Sequence, residues 1–245
     1  MAFDGIAVSC LRKELADRLT GGRITKIVQS ESDELLLTIK NNGAQYRLLL
    51  SASASLPLIY LTETNKPAPM TAPGFCMLLR KHLGGGRITA VTQPSLERIL
   101  HFEIEHLDEM GDLCRKTLIA ELMGKHSNLI FCKEDGTIID SIKHVSAQVS
   151  SVREVLPGRS YFIPQTMAKE DPLTVEESVF KEVLTSAPMK VQKALYNHLT
   201  GISPIMAEEI CHLASIDSDY GASELSEPEL LLLYPTFSLV LEDVT

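Results

Sequence analysis

A polar loop at residues 121–128 (ELMGKHSN) lies between two apolar stretches and carries several hydrogen-bonding groups. A polar loop with a glycine hinge is a suitable place to present Lys125, His126 and Asn128 to a partner. A tight turn, in which Ser127 and Asn128 bond the local backbone, explains the string equally well. The residues alone leave both interpretations open.

Basic side chains gather in the middle of the chain, where they could neutralise the phosphates of a nucleic acid. The cluster consists of Arg80, Lys81, His82, Arg87, Arg98, Arg115, Lys116, Lys125 and His126. Acidic residues are interleaved with it, so a solvated surface explains the cluster as well as a binding face does. Arg98 follows the second copy of an internal repeat, and the first copy has no arginine there. That asymmetry suggests a specific role for Arg98.

The sequence contains no recognisable constellation for catalysis or for metal binding. His101 and His106 are five residues apart on a predicted strand, and an odd separation puts them on opposite faces. The five cysteines include no C-x-x-C pair and are expected to be reduced thiols. The string GGGR at residues 84–87 lacks the spacing of a phosphate-binding loop. We therefore expect no catalytic residue, no metal site and no cofactor.

The net charge of −9 is unevenly distributed along the chain. None of the 23 lysines and arginines lies beyond Lys193, whereas nine of the 32 acidic residues do. The first 193 residues are therefore neutral overall, and residues 194–245 are acidic. Because phosphate backbones are bound mainly by cationic side chains, we expect any nucleic-acid surface in the first 193 residues.

An internal repeat organises the first part of the chain. Residues 21–29 (GGRITKIVQ) and 85–93 (GGRITAVTQ) are offset by 64 positions. Each copy follows an amphipathic helix and precedes a strand that returns through a hairpin. The predicted unit is helix, glycine turn, strand, hairpin and strand, used twice. Further strands are predicted at residues 128–132 and 137–142.

These patterns predict an α+β protein with two domains. Residues 1–170 are expected to form an antiparallel β-sandwich or partial barrel with two flanking helices. Residues 171–245 are expected to be helical. Two capping boxes, Thr174 with Glu177 and Ser226 with Glu229, are predicted there, together with a cap at Ser203. The turn at 199–204 could bind a phosphate, but its acidic surroundings favour plain packing of two helices.

No apolar run approaches the ~18–20 residues that span a bilayer. The first residues, MAFDG, do not resemble a secretory signal. With the unpaired cysteines, this predicts a cytoplasmic protein without a membrane partner.

Six strings together resemble the N-terminal domain of the NFACT family, which includes the bacterial RqcH or fibronectin-binding-protein-A-like proteins and eukaryotic NEMF. They are FDGI at residues 3–6, FCMLLRKHL at 75–83, GRI at 86–88, MGKHSN at 123–128, DSIK at 140–143 and LPG at 156–158. The resemblance runs from near residue 3 to the end of the chain. It implies a fold like the N-terminal domain of formamidopyrimidine-DNA glycosylase, followed by a helix-two-turn-helix domain.

The resemblance also implies a function. Family members bind the large ribosomal subunit carrying a stranded peptidyl-tRNA. In bacteria they recruit alanyl-tRNA and support the addition of C-terminal alanine tails. Longer members continue into a coiled coil and a further RNA-binding domain, so we expect this chain to be an N-terminal fragment. The expected partners are tRNA and the large ribosomal subunit.

The resemblance assigns tRNA handling to two strings, Glu97-Arg98 and Glu121-Leu122-Met123. The family pattern has Asp where this chain has Glu97, which keeps the charge and lengthens the side chain by one methylene. The further candidate RNA contacts are Arg80, Lys81, Arg87, Lys125, His126 and Asn128.

The resemblance leaves two alternative functions. A DNA glycosylase of this fold uses an N-terminal proline followed by glutamate, whereas this chain has Ala2 and Phe3. It would therefore bind nucleic acid without catalysis. The older family name suggests an adhesin that binds fibronectin, which we expect to be a secondary role at most.

Overall fold

The protein is described by a computed structural model that covers residues 3–164 and 168–244. The described residues form nine β-strands and six α-helices, which confirms the predicted α+β class. Contacts divide the chain into two compact units. The unit formed within residues 1–10, 93–98 and 165–245 is called the helical unit here, and the unit of residues 11–92 and 99–164 is called the sheet unit.

The sheet unit contains one antiparallel sheet, ordered β4-β3-β2-β1-β5-β6-β7-β8-β9. The strands are β1 (Arg23–Glu31), β2 (Glu34–Asn41), β3 (Ala44–Ser51), β4 (Leu58–Leu61), β5 (Arg87–Thr92), β6 (Ile99–Leu107), β7 (Leu113–Glu121), β8 (Asn128–Lys133) and β9 (Ile138–Ser141). Neighbours in sequence are neighbours in the sheet, except that β1 pairs with β5 at the centre. The predicted hairpins are thus confirmed.

The two repeat copies pair with each other at that centre. The Ile24 amide donates to the Gly86 carbonyl, and the Ile88 amide donates to the Gly22 carbonyl, both at 2.9 Å. Because Ile88 and Gly86 lie 64 positions after Ile24 and Gly22, the two bonds are related by an approximate two-fold axis. The sequence predicted only glycine turns here, and this was incomplete, because the residues after the glycines form β1 and β5.

Glycine is required where each helix passes into its strand. A Cβ atom on Gly22 would stand 2.6 Å from Cγ2 of Ile39, and one on Gly86 would stand 2.8 Å from Cγ2 of Ile104. Real Cβ contacts of that length are excluded by sterics. The repeated glycines therefore allow the same close packing in both halves of the sheet.

The two predicted helices of the repeat are α1 (Gly5–Leu19) and α2 (Gly74–Leu83). The first half of α1 belongs to the helical unit and its second half to the sheet unit. On α2, the Arg80 Nε donates to the Ile27 carbonyl of β1 at 2.9 Å. This bond joins α2 to the backbone of β1.

The helical unit contains α3 (Glu177–Thr185), α4 (Val191–His198), α5 (Pro204–Leu213) and α6 (Glu227–Glu242) around one apolar core. Ser203 caps α5, and Ser226 with Glu229 forms the predicted capping box of α6. The capping box predicted at Thr174 was wrong, because α3 begins at Glu177 and Glu176 precedes it without a side-chain cap bond. The wrong assignment arose because a Thr-x-x-Glu pattern also occurs in turns.

The predicted domain limits, 1–170 and 171–245, and the likeness to the glycosylase fold stay predictions. None of the helices described is long and apolar enough to cross a membrane.

Candidate functional site

Glu97 and Arg98 end a short turn, residues 93–98, that belongs to the helical unit. The side-chain amide of Gln93 donates to the carbonyls of Gly5 (2.9 Å) and Glu97 (2.8 Å). The Glu97 amide donates to the Pro94 carbonyl at 3.0 Å. These bonds close the turn and fix the backbone that leads into Arg98.

Ser95 also holds this turn in place. This residue has a positive φ of 48°, which is uncommon for a residue other than glycine. Its hydroxyl donates to Oδ1 of Asp171 at 2.7 Å. A strained backbone persists only where the surrounding structure holds it, so the turn is a rigid element of the unit.

Two glycines bring distant segments of the chain against this turn. A Cβ atom on Gly5 would stand 2.0 Å from the Leu96 carbonyl oxygen, and one on Gly201 would stand 2.1 Å from it. The Gly5 amide also donates to the Gly201 carbonyl at 2.8 Å. Leu96 itself is fully buried. The turn is therefore packed between two segments that only glycine allows to approach.

Asp4 joins those two segments by hydrogen bonds. Its Oδ1 accepts from the Ala7 amide at 2.8 Å, and its Oδ2 accepts from the Ser203 hydroxyl at 2.6 Å. Ser203 in turn accepts from the Met206 amide. In the turn at 199–204, the Gly201 carbonyl and the Ser203 hydroxyl thus bond to groups of the same unit.

Arg98 is exposed at the end of this rigid turn, and Glu97 is half-buried. Within the described part of the chain, no hydrogen bond or ion pair is found for the Arg98 guanidinium. Lys169 lies near both residues. Burial lowers the pKa of Lys169, the charge of Glu97 raises it and the charge of Arg98 lowers it further. The three side chains combine two cations with one carboxylate.

Lys169 was missed by the sequence analysis. Its Nζ donates to the Tyr196 carbonyl at 2.7 Å, so the ammonium is anchored to the unit. It lies in a part of the chain without clear periodicity, and no local pattern indicates that it approaches Glu97.

In the sheet unit, Glu121 is fully buried at the end of β7. Its Oε2 accepts from Nη2 of Arg153 at 2.5 Å, and its Oε1 accepts from the Tyr161 hydroxyl at 2.9 Å. The Arg153 guanidinium also lies over the Tyr161 ring, 5.6 Å from its centroid. Burial, and after it the charge of Glu121, raises the pKa of Tyr161. This network ties the segment after β9 to the sheet.

The burial of Glu121 limits what its side chain can contact directly, and the role of its string in tRNA handling stays a prediction. Both of its oxygens already accept hydrogen bonds, and Leu122 beside it is only 2% exposed. Neither side chain can touch a tRNA in this conformation. Met123 is half-buried and packs against the apolar cluster around Ile99.

The loop after β7 has the features of the tight turn at Ser127 and Asn128, whereas the presentation of Lys125 and His126 to a partner stays a prediction. The Ser127 hydroxyl accepts from the Met123 amide at 2.8 Å. Asn128 donates to the Lys143 carbonyl at 2.9 Å and accepts from the Lys143 amide at 3.1 Å. Asn128 is 2% exposed, and its carboxamide connects β8 to the segment that follows β9, so its side chain is not available to a partner in this conformation. Lys125 and His126 remain exposed.

The other candidate RNA contacts lie on α2 and β5. Arg80 on α2 bonds the Ile27 carbonyl, and Lys81 forms an ion pair with Glu109 at 3.0 Å. Arg87 is exposed on β5, directly opposite Arg23 on β1.

His101 and His106 have separate partners. His106 bonds the Lys116 ammonium at 2.8 Å, whereas His101 packs against Tyr161 on the opposite face of the sheet. No group of three or more His, Cys, Asp or Glu residues able to hold a metal occurs among residues 3–164 and 168–244.

Residues 4–245 match the family model of the NFACT N-terminal and middle domains. The chain belongs to the NFACT family. The NFACT chain is 36% identical over 233 residues to the Rqc2 homolog RqcH of Bacillus subtilis, covering 95% of this chain and 40% of that protein. It is 25% identical over 207 residues to the human ribosome quality control complex subunit NEMF, covering 84% of this chain and 18% of NEMF.

The fold of this NFACT chain is also found in solved structures. The N-terminal part of the fibronectin/fibrinogen-binding protein from Streptococcus suis has a TM-score of 0.82 and 34% identity, covering 97% of this chain and 85% of that one. The fibrinogen binding protein from Staphylococcus aureus has a TM-score of 0.81 and 30% identity, covering all of this chain and 83% of that one. The NFACT chain spans about two-fifths of the length of its curated bacterial relatives.

Proposed function

We propose that this chain is the tRNA-handling part of a ribosome quality control factor. It binds tRNA on a large ribosomal subunit that carries a peptidyl-tRNA, and within the longer protein it supports alanine tailing of the nascent chain. It catalyses no reaction of its own and acts in the cytoplasm, where ribosomes work. Family membership supports this proposal, since the relatives are named as ribosome quality control proteins.

The observation that carries the proposal is the exposed Arg98 on its rigid turn. An arginine fork can bind a phosphate bidentately or stack on a base. Because Gly5, Leu96 and Gly201 fix the turn, little backbone entropy is lost when the contact forms.

Glu97 and Lys169 shape the same site. The Glu97 carboxylate orients a neighbouring cation or accepts a hydrogen bond from a base or ribose donor. Lys169 adds a second positive charge, and its partial burial strengthens its interaction with an anion.

Glu121 has a different role in this proposal. It positions the segment that contains Arg153 and Tyr161, and it does not touch tRNA. Of the three residues in its string, only Met123 has a side chain that is partly accessible.

The test is tRNA binding by the Arg98→Ala variant, with Lys193→Ala as the control. Lys193 is also exposed and lies in the same unit, so both variants remove one surface charge. Arg98→Ala should cost about 1–3 kcal/mol of tRNA affinity, as for loss of a bidentate contact. Its free energy of unfolding should change by less than about 0.5 kcal/mol.

Two outcomes would contradict the proposal. If Arg98→Ala binds tRNA as tightly as Lys193→Ala, the site is elsewhere. If Arg98→Ala unfolds the chain, the arginine is structural.

A further inference from the structure

A line of polar side chains crosses one face of the sheet near the ends of its central strands. Residues directly opposite one another in antiparallel strands project from the same face. Following the pairing from β3 to β7, this line contains Gln45, Lys40, Arg23, Arg87, Glu105 and Arg115. All of these residues except the half-buried Glu105 are exposed.

Four of these residues are cations, and we call them the cation row: Lys40, Arg23, Arg87 and Arg115. The single carboxylate, Glu105, already pairs with Arg115 at 2.9 Å. Arg23 donates to the Gly85 carbonyl at 2.9 Å. For Lys40 and Arg87, the described part of the chain supplies no ion pair or hydrogen bond to the side chain.

This arrangement is unfavourable for the free protein. Like charges that face each other across a strand pair destabilise a sheet. Lys40, Arg23 and Arg87 occupy three successive strands, which are spaced about 4.8 Å apart. The approximate two-fold axis makes the central contact unavoidable, because it places the arginine of one repeat copy opposite that of the other. An anion bound along the row would relieve the repulsion.

The length of the row indicates that its ligand is a polyanion. From β2 to β7 it extends over roughly 20 Å, four strand spacings. A single small anion would neutralise only one or two of its cations. The net charge of the chain is −9, so this concentration of cations is a local feature and not a general surface property.

We propose that the cation row binds the phosphodiester backbone of RNA, at a site separate from Arg98. Contacts of this kind position a protein on a nucleic acid without reading its sequence. The inference shares with the proposed function only the class of ligand, RNA. It adds a second, sequence-independent contact made by the sheet unit.

The experiment compares two double variants of the 245-residue chain. Lys40→Gln with Arg87→Gln removes two cations of the row that have no described internal partner. Lys13→Gln with Lys133→Gln removes two exposed cations of the same unit outside the row and leaves the same net charge. The probe is a fluorescently labelled RNA hairpin of arbitrary sequence, titrated at several salt concentrations, with melting curves for every variant.

For the row variant, the slope of log affinity against log salt should be smaller by about 1.5, and affinity in 0.1 M salt should fall on the order of 30-fold. The control variant should bind within about 3-fold of the parent chain. The proposal is overturned if both variants lose affinity equally, or if the parent chain does not bind the hairpin. It is also overturned if polyglutamate displaces the hairpin as effectively as unlabelled RNA, since the row would then suit an acidic protein.

Two further measurements keep the outcomes distinct. If the double variant melts at a lower temperature, the single variant Arg87→Gln is tested, for which the slope should change by about half as much. Binding of tRNA by Arg98→Ala is measured in parallel. Normal tRNA binding by Arg98→Ala, together with a weakened row variant, would refute the proposed function and leave this inference standing.

Discussion

Replacement of Glu121 by glutamine tests whether this residue supports the fold or contacts tRNA. The side chain is fully buried, and that of Arg153 is 11% exposed. Glutamine has the same shape and can still accept the Tyr161 hydrogen bond. It cannot balance the charge of the guanidinium, so the variant leaves a nearly buried cation without its counter-ion.

The magnitude follows from that geometry. Removing one partner of a buried ion pair destabilises a protein by about 3–5 kcal/mol. Replacing both partners, in Glu121→Gln with Arg153→Met, should cost markedly less than the two single changes added together, because neither charge is then left alone. The more accessible pair Glu154 and Arg159, in the same segment of chain, is the matched control. Glu154→Gln should cost less than about 1 kcal/mol.

The assay is amide hydrogen exchange of residues 113–121, which reports the opening free energy of β7 itself. Urea unfolding of the whole chain provides a second measurement. If Glu121→Gln changes the opening free energy by less than about 0.5 kcal/mol while tRNA affinity falls, then Glu121 contacts RNA and the supporting role assigned to it is wrong.

Two other expected results follow from single sites. In thermal melts, Gly5→Ala should destabilise the helical unit by about 3 kcal/mol or more, because its Cβ would overlap the Leu96 carbonyl oxygen. The control Gly74→Ala, with no atom within 4 Å of its Cβ, should change the free energy of unfolding by less than about 0.5 kcal/mol. His101 has a buried Nε2 without a partner among the described residues, and burial lowers its pKa from 6.5. As pH falls below 6.5, the unfolded chain therefore binds the proton first, and the free energy of unfolding decreases until the folded His101 titrates. In urea unfolding between about pH 7.5 and pH 5, the His101→Phe variant should lose less of its free energy of unfolding than the parent chain.

The sequence was sufficient where a local pattern has one structural solution. The paired GGRIT strings predicted two equivalent halves of the sheet, because close helix-to-strand packing requires glycine at Gly22 and Gly86. The caps at Ser203 and Ser226 were likewise predictable, since each satisfies backbone groups within its own helix.

The sequence was insufficient where a β-bulge or a contact between distant residues determines the local structure. Both β1 and β5 carry a register shift at equivalent positions, between Ile24 and Lys26 and between Ile88 and Ala90. A bulge interrupts the alternation of apolar and polar residues from which strands are predicted. The burial of Glu121 was equally hidden, since it depends on Arg153, which follows 32 positions later in a segment without periodicity.

The two halves of the sheet differ at the position that the proposed function uses. In the first repeat copy, the chain turns directly from β1 into β2, and Glu34 at the start of β2 is paired with Lys66 at 2.6 Å. In the second copy, residues 93–98 lie between β5 and β6, and they belong to the helical unit. The first copy shows that two neighbouring strands of this sheet pair without such a segment. The segment at 93–98 is therefore not required for strand pairing. Leu96 within it is buried in the core of the helical unit, and its hydrogen bonds fix the backbone that leads into Arg98.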